Sequence, residues 1–329
     1  MPRTLALVTG ASGFVGANLV EALNQRGWRV RALHRRTSSL RALEGLRFDS
    51  AIGDVLDRES LREAMRDVDV VFHVAASADY WRNNPDHMLR VNVEGTRNVL
   101  HAALEARVSR VVFTSSCAAL GKPPFGQALD EHARFNLPPR AFLYGYSKHL
   151  AEQVCQEYVA QGLSVVIVNP AVIFGPRDAN LISGSLIVEA ARRRGIPIVP
   201  PGGVSVVDVA DVCAGMLAAA DRGRDGERYI LTAENVWYAD LFEVIAEVVG
   251  GSPPRWHVSG AMLRTIAPLV DVARALGIRL PLSGEQVRFA AETFWFDNTK
   301  ARRELRFDPR PVREAIQRAY AWYQSAGMI

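Results

Sequence analysis

The stretch Thr9-Gly10-Ala11-Ser12-Gly13-Phe14-Val15-Gly16 decides the fold, because it joins an apolar run at 5–8 to a helix-like run that begins at Ala17. Glycines at this spacing let a strand turn tightly into a helix and bring the backbone against a pyrophosphate, which the helix N-terminus then faces. We therefore predict a dinucleotide-binding loop, the alternative being a glycine-rich turn without a ligand. The predicted contacts are Gly10, Ser12, Gly13, Phe14, Val15 and Gly16.

Length and composition are those of a globular protein. The chain has 329 residues, of which 49% are hydrophobic and 22% charged, so we expect a large α/β domain with a smaller appended one. The net charge is +4, but the arginines are scattered along presumed helices. We interpret them as solvated faces and predict no nucleic-acid partner.

The cysteines and the N-terminus bear on location. Cys117, Cys155 and Cys213 are widely spaced and form no Cys/His cluster, which indicates neither a disulfide frame nor a metal site. The first three residues lead directly into the presumed first strand and leave no room for a signal peptide. No apolar stretch is long enough to span a bilayer, so we expect a cytoplasmic protein without stable membrane insertion.

The end of the second predicted strand, residues 28–33, favours one cofactor. NAD-preferring folds of this type place an acid there, whereas this chain has His34-Arg35-Arg36-Thr37-Ser38-Ser39. Guanidinium groups suit a phosphate, so Arg35 favours NADP over NAD. The alternative is a merely basic loop.

Two later strand ends supply further cofactor candidates. Asp54 and Val55 follow a strand, where Asp54 either accepts from the adenine amine or caps the next turn. The strand at 68–74 is followed by Ala75 and Ala76, small enough to lie close to the second ribose. We interpret His73 as a satisfied strand histidine rather than an acid or base. The loop at 77–85 is either a substrate-facing lid or a surface loop.

Candidate catalytic residues occur at the end of the next strand and at the start of the helix after it. After a helix at 91–106, the strand at 108–114 ends in Ser115-Ser116, and a long connection at 121–140 leads to the helix entered by Tyr144-Gly145-Tyr146-Ser147-Lys148. Residues four apart share a helix face, so Tyr144 and Lys148 point into one pocket while Tyr146 does not. A phenol has a pKa of about 10, which a neighbouring ammonium lowers. Ser116 would hydrogen-bond the substrate oxygen. An ordinary exposed pair is the alternative.

These motifs together resemble the extended short-chain dehydrogenase/reductase family. TGASGFVG, GDVLD, HVAA, VNVEGTRNVL, TSSCAALG, YGYSK and VNPAVIFGPRD occur in family order. HVAASADYW, GERYILTAEN and KARRELRFDPRP resemble the branch of dihydroflavonol-4-reductase-like enzymes and hopanoid-associated sugar epimerases. The resemblance implies a Rossmann-type doubly wound parallel sheet with a smaller, mostly helical C-terminal substrate lobe.

The resemblance also assigns roles to residues. Ser116, Tyr144 and Lys148 match the catalytic triad, with Ser115 as a substitute for Ser116, and Asn92 matches a helix-kink position or is purely structural. Cofactor positions matched by the chain are Gly10, Gly13, Gly16, Arg35, Asp54, Ala75, Ala76, Lys148 and Pro170. Tyr144 is also counted among the cofactor contacts.

Two departures from the family matter. Sugar-nucleotide dehydratases carry an acid pair where this chain has Cys117-Ala118, which argues against dehydration. The usual His-Val-Asp-Asp segment is here Asp208-Val209-Ala210-Asp211, which alters how the second lobe is anchored.

The remainder of the chain predicts a discontinuous cofactor domain. Residues 1–175 and about 201–235 form it, with strands at 204–207 and 228–232 in its sheet, and residues 176–200 and 236–329 form the substrate lobe. That lobe has predicted helices at 241–249, 262–276, 284–293 and 313–325. The second of these is amphipathic, and we expect it to pack on the lobe, the alternative being contact with a membrane or lipid-like substrate.

We therefore predict an NADP(H)-dependent carbonyl reductase or alcohol dehydrogenase with Tyr144 as proton donor and acceptor. The alternative is a sugar epimerase, hopanoid-associated or acting on nucleotide sugars, that keeps its cofactor bound. A third class, a cofactor-binding sensor, would need no proton donor. The expected partner is a small carbonyl, alcohol or sugar, and the family contains both monomers and helix-paired homodimers.

Overall fold

The computed structural model describes residues 4–78, 84–278 and 283–329. Among these residues, seven parallel strands form the first sheet, in the order β3-β2-β1-β4-β5-β7-β11. The strands are β1 (Leu5–Thr9), β2 (Arg29–His34), β3 (Asp49–Ile52), β4 (Val70–His73), β5 (Arg110–Thr114), β7 (Val165–Pro170) and β11 (Arg228–Leu231). The strand order reverses between β1 and β4, where open α/β sheets bind ligands at the carboxyl ends of the strands.

Helices cover both faces of this sheet and produce two cores. Buried residues of α1 and α7, such as Leu23 and Met216, pack on one face. Leu61, Val99 and Val154, from α2, α4 and α5, pack on the other. These helices are α1 (Phe14–Gln25), α2 (Arg58–Ala64), α4 (Gly95–Glu105), α5 (Leu143–Val159) and α7 (Val209–Arg222), with α3 (Pro85–Leu89) before α4. The predicted doubly wound Rossmann-type sheet is confirmed.

A second sheet lies within the other lobe and includes segments that the sequence did not mark as strands. It consists of β6 (Ala128–Leu129), β8 (Val172–Phe174), β10 (Gly203–Asp208), β12 (Glu234–Trp237) and β14 (Thr293–Phe296). A two-stranded ribbon pairs β9 (Ile198–Val199) with β13 (Trp256–His257). Residues 204–207 were expected to return to the first sheet; this was wrong, because β10 pairs with β8, β12 and β14 instead.

A third core, which includes Phe174, Ile245 and Tyr323, is enclosed by three helices of the second lobe, α6, α8 and α12, and the described part of the lobe has six helices in all. They are α6 (Ser185–Arg193), α8 (Tyr238–Val249), α9 (Gly260–Ala275), α10 (Gly284–Phe289), α11 (Thr299–Leu305) and α12 (Val312–Ser325). Helix α11 is an exception, since its Ala301 and Leu305 pack into the core of the first sheet. The predicted division of the chain into two domains stays a prediction. Within it, β10 lies in the second sheet, and α11 packs on the first sheet.

Helix α9 packs against the protein through one side and presents its other side to solvent. Its Ala267 is fully buried, but Met262, Leu269, Val272 and the adjoining Leu276 are 50–76% exposed. These four residues recur at helical spacing and form one outward stripe. Only the opposite side of the helix therefore packs against the protein. In the described residues, no helix has the length and apolar content needed to cross a membrane.

Candidate active site

The glycine loop between β1 and α1 is built on two close backbone approaches. Gly10 has φ +67°, and a Cβ there would lie 2.7 Å from the Cα of Ala75. A Cβ on Gly16 would lie 2.2 Å from the carbonyl oxygen of Gly10. Side chains are therefore excluded at both positions, and the loop presents backbone at the carboxyl edge of the sheet.

The first turn of α1 has the properties of an anion site. Its N-cap residue, Gly13, makes no side-chain cap, and the first turn contains no acidic residue. The leading N–H groups of a helix have no partners within it and carry a partial positive charge. Ser12 and Val15 are half-buried in this loop, whereas Phe14 is buried. These features fit a dinucleotide phosphate.

Thr9 fixes the end of β4 beside this loop. Its Oγ1 accepts from the backbone N–H groups of Val74 and Ala75, both at 3.2 Å. Ala75 is consequently half-buried against Gly10, and Ala76 is exposed at the same edge. Both alanines lie where the sequence predicted the passage of the cofactor.

The residues proposed for the other end of the cofactor lie at neighbouring strand ends. Arg35 follows β2 and is exposed; within the described chain it forms no ion pair. Asp54 follows β3, and its Oδ1 accepts from the N–H of Leu56 at 2.9 Å, which is the turn-capping geometry. Val55 is buried, and a Cβ on Gly95 would approach its Cγ2 to 2.7 Å, so its side chain packs on α4.

Ser115 and Ser116 at the end of β5 have different environments. Ser115 is buried, and its Oγ donates to Glu152. Ser116 is half-buried, and its Oγ accepts from the N–H of Ala118 at 3.2 Å. Because that bond uses an acceptor lone pair, the hydroxyl proton of Ser116 can be donated to a ligand. Ser116 is thus the better placed of the two serines.

Gly145 brings the helix of Tyr144 against the turn that follows Ser116. A Cβ on Gly145 would lie 2.5 Å from the carbonyl oxygen of Ala118. The carbonyl oxygen of Tyr144 accepts from Ser147 Oγ at 2.7 Å, and Ser147 Oγ accepts in turn from Asn92 at 2.9 Å. The start of α5 is therefore held close to Ser116.

Asn92 lies in a π-helical turn, Arg90–Glu94, between α3 and α4. It is buried, its Oδ1 accepts from Ser77 N at 2.7 Å, and its Nδ2 donates to Ser77 O at 3.0 Å. π-turns interrupt helices at functional sites. The predicted helix-kink position, Asn92, therefore lies within a π-helical turn. The predicted loop at 77–85 includes residues 79–83, which lie outside the described residues.

Lys148 is buried one turn after Tyr144. Its Nζ donates to the carbonyl oxygen of Thr114 at 2.8 Å and lies 5.0 Å from the centre of the Phe113 ring. Burial lowers the pKa of Lys148 from 10.5 to about 8, against the opposing effects of Cys155 and Glu152. The Lys148 ammonium therefore keeps its proton at neutral pH and loses it at slightly higher pH.

His73 is held in the sheet, as predicted. Its Nδ1 bonds to Thr9 Oγ1 at 2.8 Å and its Nε2 to Thr96 Oγ1 at 3.0 Å. Burial, followed by the charge of Lys148, lowers its pKa from 6.5 to about 3. A neutral, doubly hydrogen-bonded imidazole is not available for proton transfer at neutral pH.

The positions of the dehydratase acid pair are occupied by small uncharged side chains. Cys117 is buried, its Sγ lies 3.1 Å from the carbonyl oxygen of Asn169, and burial raises its pKa well above 9. Ala118 follows it in the turn that Ser116 caps. Neither residue can act as an acid or base.

Sequence reasoning missed a buried polar group behind Ser116 and Lys148. Glu152 accepts from Ser115 and from Asn169 Nδ2, and Asn169 Nδ2 also donates to the carbonyl oxygen of Ser116 at 2.9 Å. Pro170, buried at the end of β7, directly follows Asn169. The available signal was helical spacing, since Tyr144, Lys148 and Glu152 are each four residues apart.

A cavity of about 600 Å³ lies elsewhere, at the end of β11. Its walls include Asp130, His132, Thr232 and Asp297. None of the predicted site residues lines it, so the predicted site is separate from this cavity.

The fold and the glycine cradle define a Rossmann-type dinucleotide-binding protein, and comparison with known proteins specifies the family. Residues 6–231 match the model of the NAD dependent epimerase/dehydratase family. The chain belongs to this family. It is an enzyme of the extended short-chain dehydrogenase/reductase type.

The similarity extends along the whole chain. A putative dihydroflavonol 4-reductase from Synechocystis sp. is 35% identical over 98% of this chain and 95% of its own length. Sterol demethylase protein B from Methylococcus capsulatus is 37% identical over 98% of this chain and 99% of its own. The crystal structure of gox2253 matches with a TM-score of 0.88 and 36% identity, covering 99% of this chain and 100% of that one.

Proposed function

We propose that the protein is an NADP(H)-dependent carbonyl reductase or alcohol dehydrogenase in which Ser116, Tyr144 and Lys148 are the catalytic residues. The observation that carries this proposal is the backbone contact between Gly145 and Ala118, which holds the helix of Tyr144 and Lys148 against the turn after Ser116. Ser116 follows β5, and Lys148 donates to the carbonyl oxygen of Thr114 at the end of the same strand. The reductase name of a relative that spans the chain supports it.

Each side chain has a distinct task in carbonyl reduction. When bound, the nicotinamide supplies the hydride. Ser116 donates its hydroxyl proton in a hydrogen bond to the substrate oxygen, and Tyr144 transfers its phenolic proton to the forming alkoxide. The Lys148 ammonium stabilises the phenolate that remains. The oxidation of an alcohol uses the same groups in reverse.

The cradle residues and Arg35 would hold the cofactor. The N–H groups of the first turn of α1 suit the diphosphate, and Ala75 and Ala76 leave room beside Gly10. The exposed guanidinium of Arg35 suits the additional phosphate of NADP. We propose Asp54, half-buried at the neighbouring strand end, for the adenine.

An apolar carbonyl compound with fused rings is the substrate class we propose. Dihydroflavonol and sterol, in the names of two relatives, both have fused-ring skeletons. In this chain, the ring of Phe142, two residues before Tyr144, lies 4.9 Å from that of Phe289 in the second lobe. Phe294 lies 5.2 Å from Phe289. Aromatic side chains thus connect the proposed catalytic helix to the second lobe.

Replacing Tyr144 tests the proposed proton donor. Tyr144→Phe should abolish NADPH-dependent carbonyl reduction while NADPH binding, followed by its fluorescence, is retained. Tyr146→Phe is the matched control, since Tyr146 lies on the same helix and contacts Phe135, with 5.8 Å between ring centroids. Unchanged turnover in Tyr144→Phe would refute the proposal, and a preference for NADH over NADPH would refute the role of Arg35.

The family also contains epimerases, which use the same groups to oxidise and then reduce one carbon. An epimerase retains its nicotinamide between the two steps, whereas a reductase must exchange it. Denaturing the purified protein and assaying the released nicotinamide distinguishes them. We expect less than about a tenth of an equivalent, because a dissociable cofactor is lost on purification. A full equivalent would establish the epimerase.

A further inference from the structure

Glu152 is a buried carboxylate on the helix that carries Tyr144 and Lys148. It is 5% exposed and lies one turn after Lys148. Its Oε1 accepts from Ser115 Oγ and, at 2.7 Å, from Asn169 Nδ2, and its Oε2 lies 3.5 Å from Arg228. Three donors therefore surround its two oxygens, an arrangement that suits the ionised form of the carboxyl group.

The bonds of Glu152 connect three elements of the site. Ser115 lies at the end of β5, Asn169 at the end of β7, and Glu152 on α5. The same amide nitrogen of Asn169 also donates to the carbonyl oxygen of Ser116 at 2.9 Å. The backbone on both sides of Ser116 is thereby fixed relative to the helix that carries Tyr144 and Lys148.

We propose that Glu152 is a positioning residue, which holds Ser116 in register with Tyr144 through Ser115 and Asn169 and places a buried carboxylate one helical turn from Lys148. The inference rests on the proposed catalytic roles of these residues. It assigns a function to a carboxylate that would otherwise be an unexplained charge in the interior of an enzyme, where a buried charge is costly unless it is paired.

The charges around Glu152 define the expected effect on Lys148. Burial raises the pKa of Glu152, and Arg228, Ser115, Asn169 and Lys148 oppose that rise. Titratable groups that interact with Glu152 or with Lys148 come from α5, from β11, from the turn after β5 and from β4: Cys155, Arg228, Cys117 and His73. Removing the negative charge of Glu152 leaves Lys148 with less compensation for burial, so the pKa of Lys148 falls.

Lys148 can be observed directly, because the chain has three lysines, Lys122, Lys148 and Lys300. Carbon-13 labelling of the lysine ε-carbons gives a spectrum in which Lys148→Arg identifies the signal of interest. In Glu152→Gln, we expect the titration midpoint of Lys148 to move down by about half a pH unit or more. Lys122 and Lys300, paired with Glu292 and Glu227, serve as internal references.

Turnover supplies the second measurement. Glu152→Gln should lower kcat by roughly 10-fold, because small displacements of reacting groups are costly, while cofactor affinity changes by less than about threefold. The alkaline limb of the kcat profile should move to lower pH together with Lys148. Glu157→Gln is the matched control, since Glu157 lies on the same helix in an exposed pair with Arg97 and should change neither quantity.

Ser115→Ala separates the two roles of Glu152, because it removes one positioning bond and leaves the charge. We expect kcat to fall without movement of the Lys148 midpoint. An unmoved Lys148 midpoint in Glu152→Gln, or unchanged kcat in both variants, would overturn the proposal. A Glu152→Gln variant that loses unfolding free energy but keeps its kcat and its Lys148 midpoint would also overturn the proposal. If instead Tyr144→Phe retains turnover, the proposed function fails, while the Lys148 midpoint still reports on Glu152.

Discussion

At the residue scale, His73 shows how burial determines chemistry. The unfolded chain takes up a proton on this residue near pH 6.5, whereas the folded chain does so only near pH 3. Between these values the unfolded state binds more protons, so the free energy of unfolding falls as pH falls. The slope from this group is at most about 1.4 kcal/mol per pH unit.

We therefore predict that His73→Gln flattens the acid dependence of stability. Urea denaturation at several pH values between 7 and 4 should show the difference between the two proteins shrinking as pH falls, since only the wild type has this proton to exclude. His257→Gln, at an exposed histidine, should follow the wild-type curve. Parallel curves for His73→Gln and the wild type would show that the imidazole titrates normally.

Single residues also show what the sequence could and could not predict. The spacing of Gly10 and Gly16 predicted the cradle, because local backbone geometry determines it. Glu152 was missed because its partners, Ser115 and Asn169, are 37 and 17 residues away and come together only through the pairing of β5 with β7. Interactions between distant segments are not encoded in local periodicity.

At the scale of elements, regular helices and strands of the first sheet were predictable, and short strands were not. The connection at 121–140 contains β6, a two-residue strand paired with β14. Residues 284–293 were expected to be helical, but α10 ends at Phe289 and β14 begins at Thr293. Strands this short have no detectable alternation of their own and form because a partner strand is present.

Helix α6 provides an element-scale prediction, because its N-cap residue Gly184 lies against the ring of Tyr323 from α12. A Cβ on Gly184 would lie 1.5 Å from the Tyr323 hydroxyl and 2.4 Å from its Cζ. We expect Gly184→Ala to reduce the free energy of unfolding by about 1–3 kcal/mol, the usual cost of overpacking. Chemical denaturation would measure it.

Gly260→Ala is the control for that substitution. Gly260 begins α9, and a Cβ there would have ordinary contacts, the nearest atom being 3.4 Å away. Alanine is favoured over glycine in a helix, so this variant should be neutral or slightly stabilising. Equal losses in the two variants would argue that the contact with Tyr323 is not the cause.

At the scale of the whole molecule, the unusual Asp208-Val209-Ala210-Asp211 segment connects the two lobes. Asp208 caps α7 through Ala210 N at 2.6 Å and lies 3.2 Å from Arg318 of α12. Asp211 accepts from the backbone N–H of Arg310 at 2.9 Å and pairs with its guanidinium at 2.9 Å. Helix α7 packs on the first sheet, and α12 packs in the second lobe. Two aspartates thus tie one lobe to the other.

Removing Asp211 should loosen this connection. Asp211 is 6% exposed and Arg310 34% exposed at their side chains, so we expect Asp211→Ala to cost about 1–3 kcal/mol of unfolding free energy. Glu247→Ala breaks the exposed pair between α8 and Arg313 of α12 and should cost less than about 0.5 kcal/mol.

Hydrogen exchange measures which part of the molecule loses stability in Asp211→Ala. Amides of α12 should exchange faster in Asp211→Ala, while those of β1 and β4 stay protected, since the core of the first sheet does not depend on α12. Uniform acceleration across both lobes would instead show that they unfold as one unit.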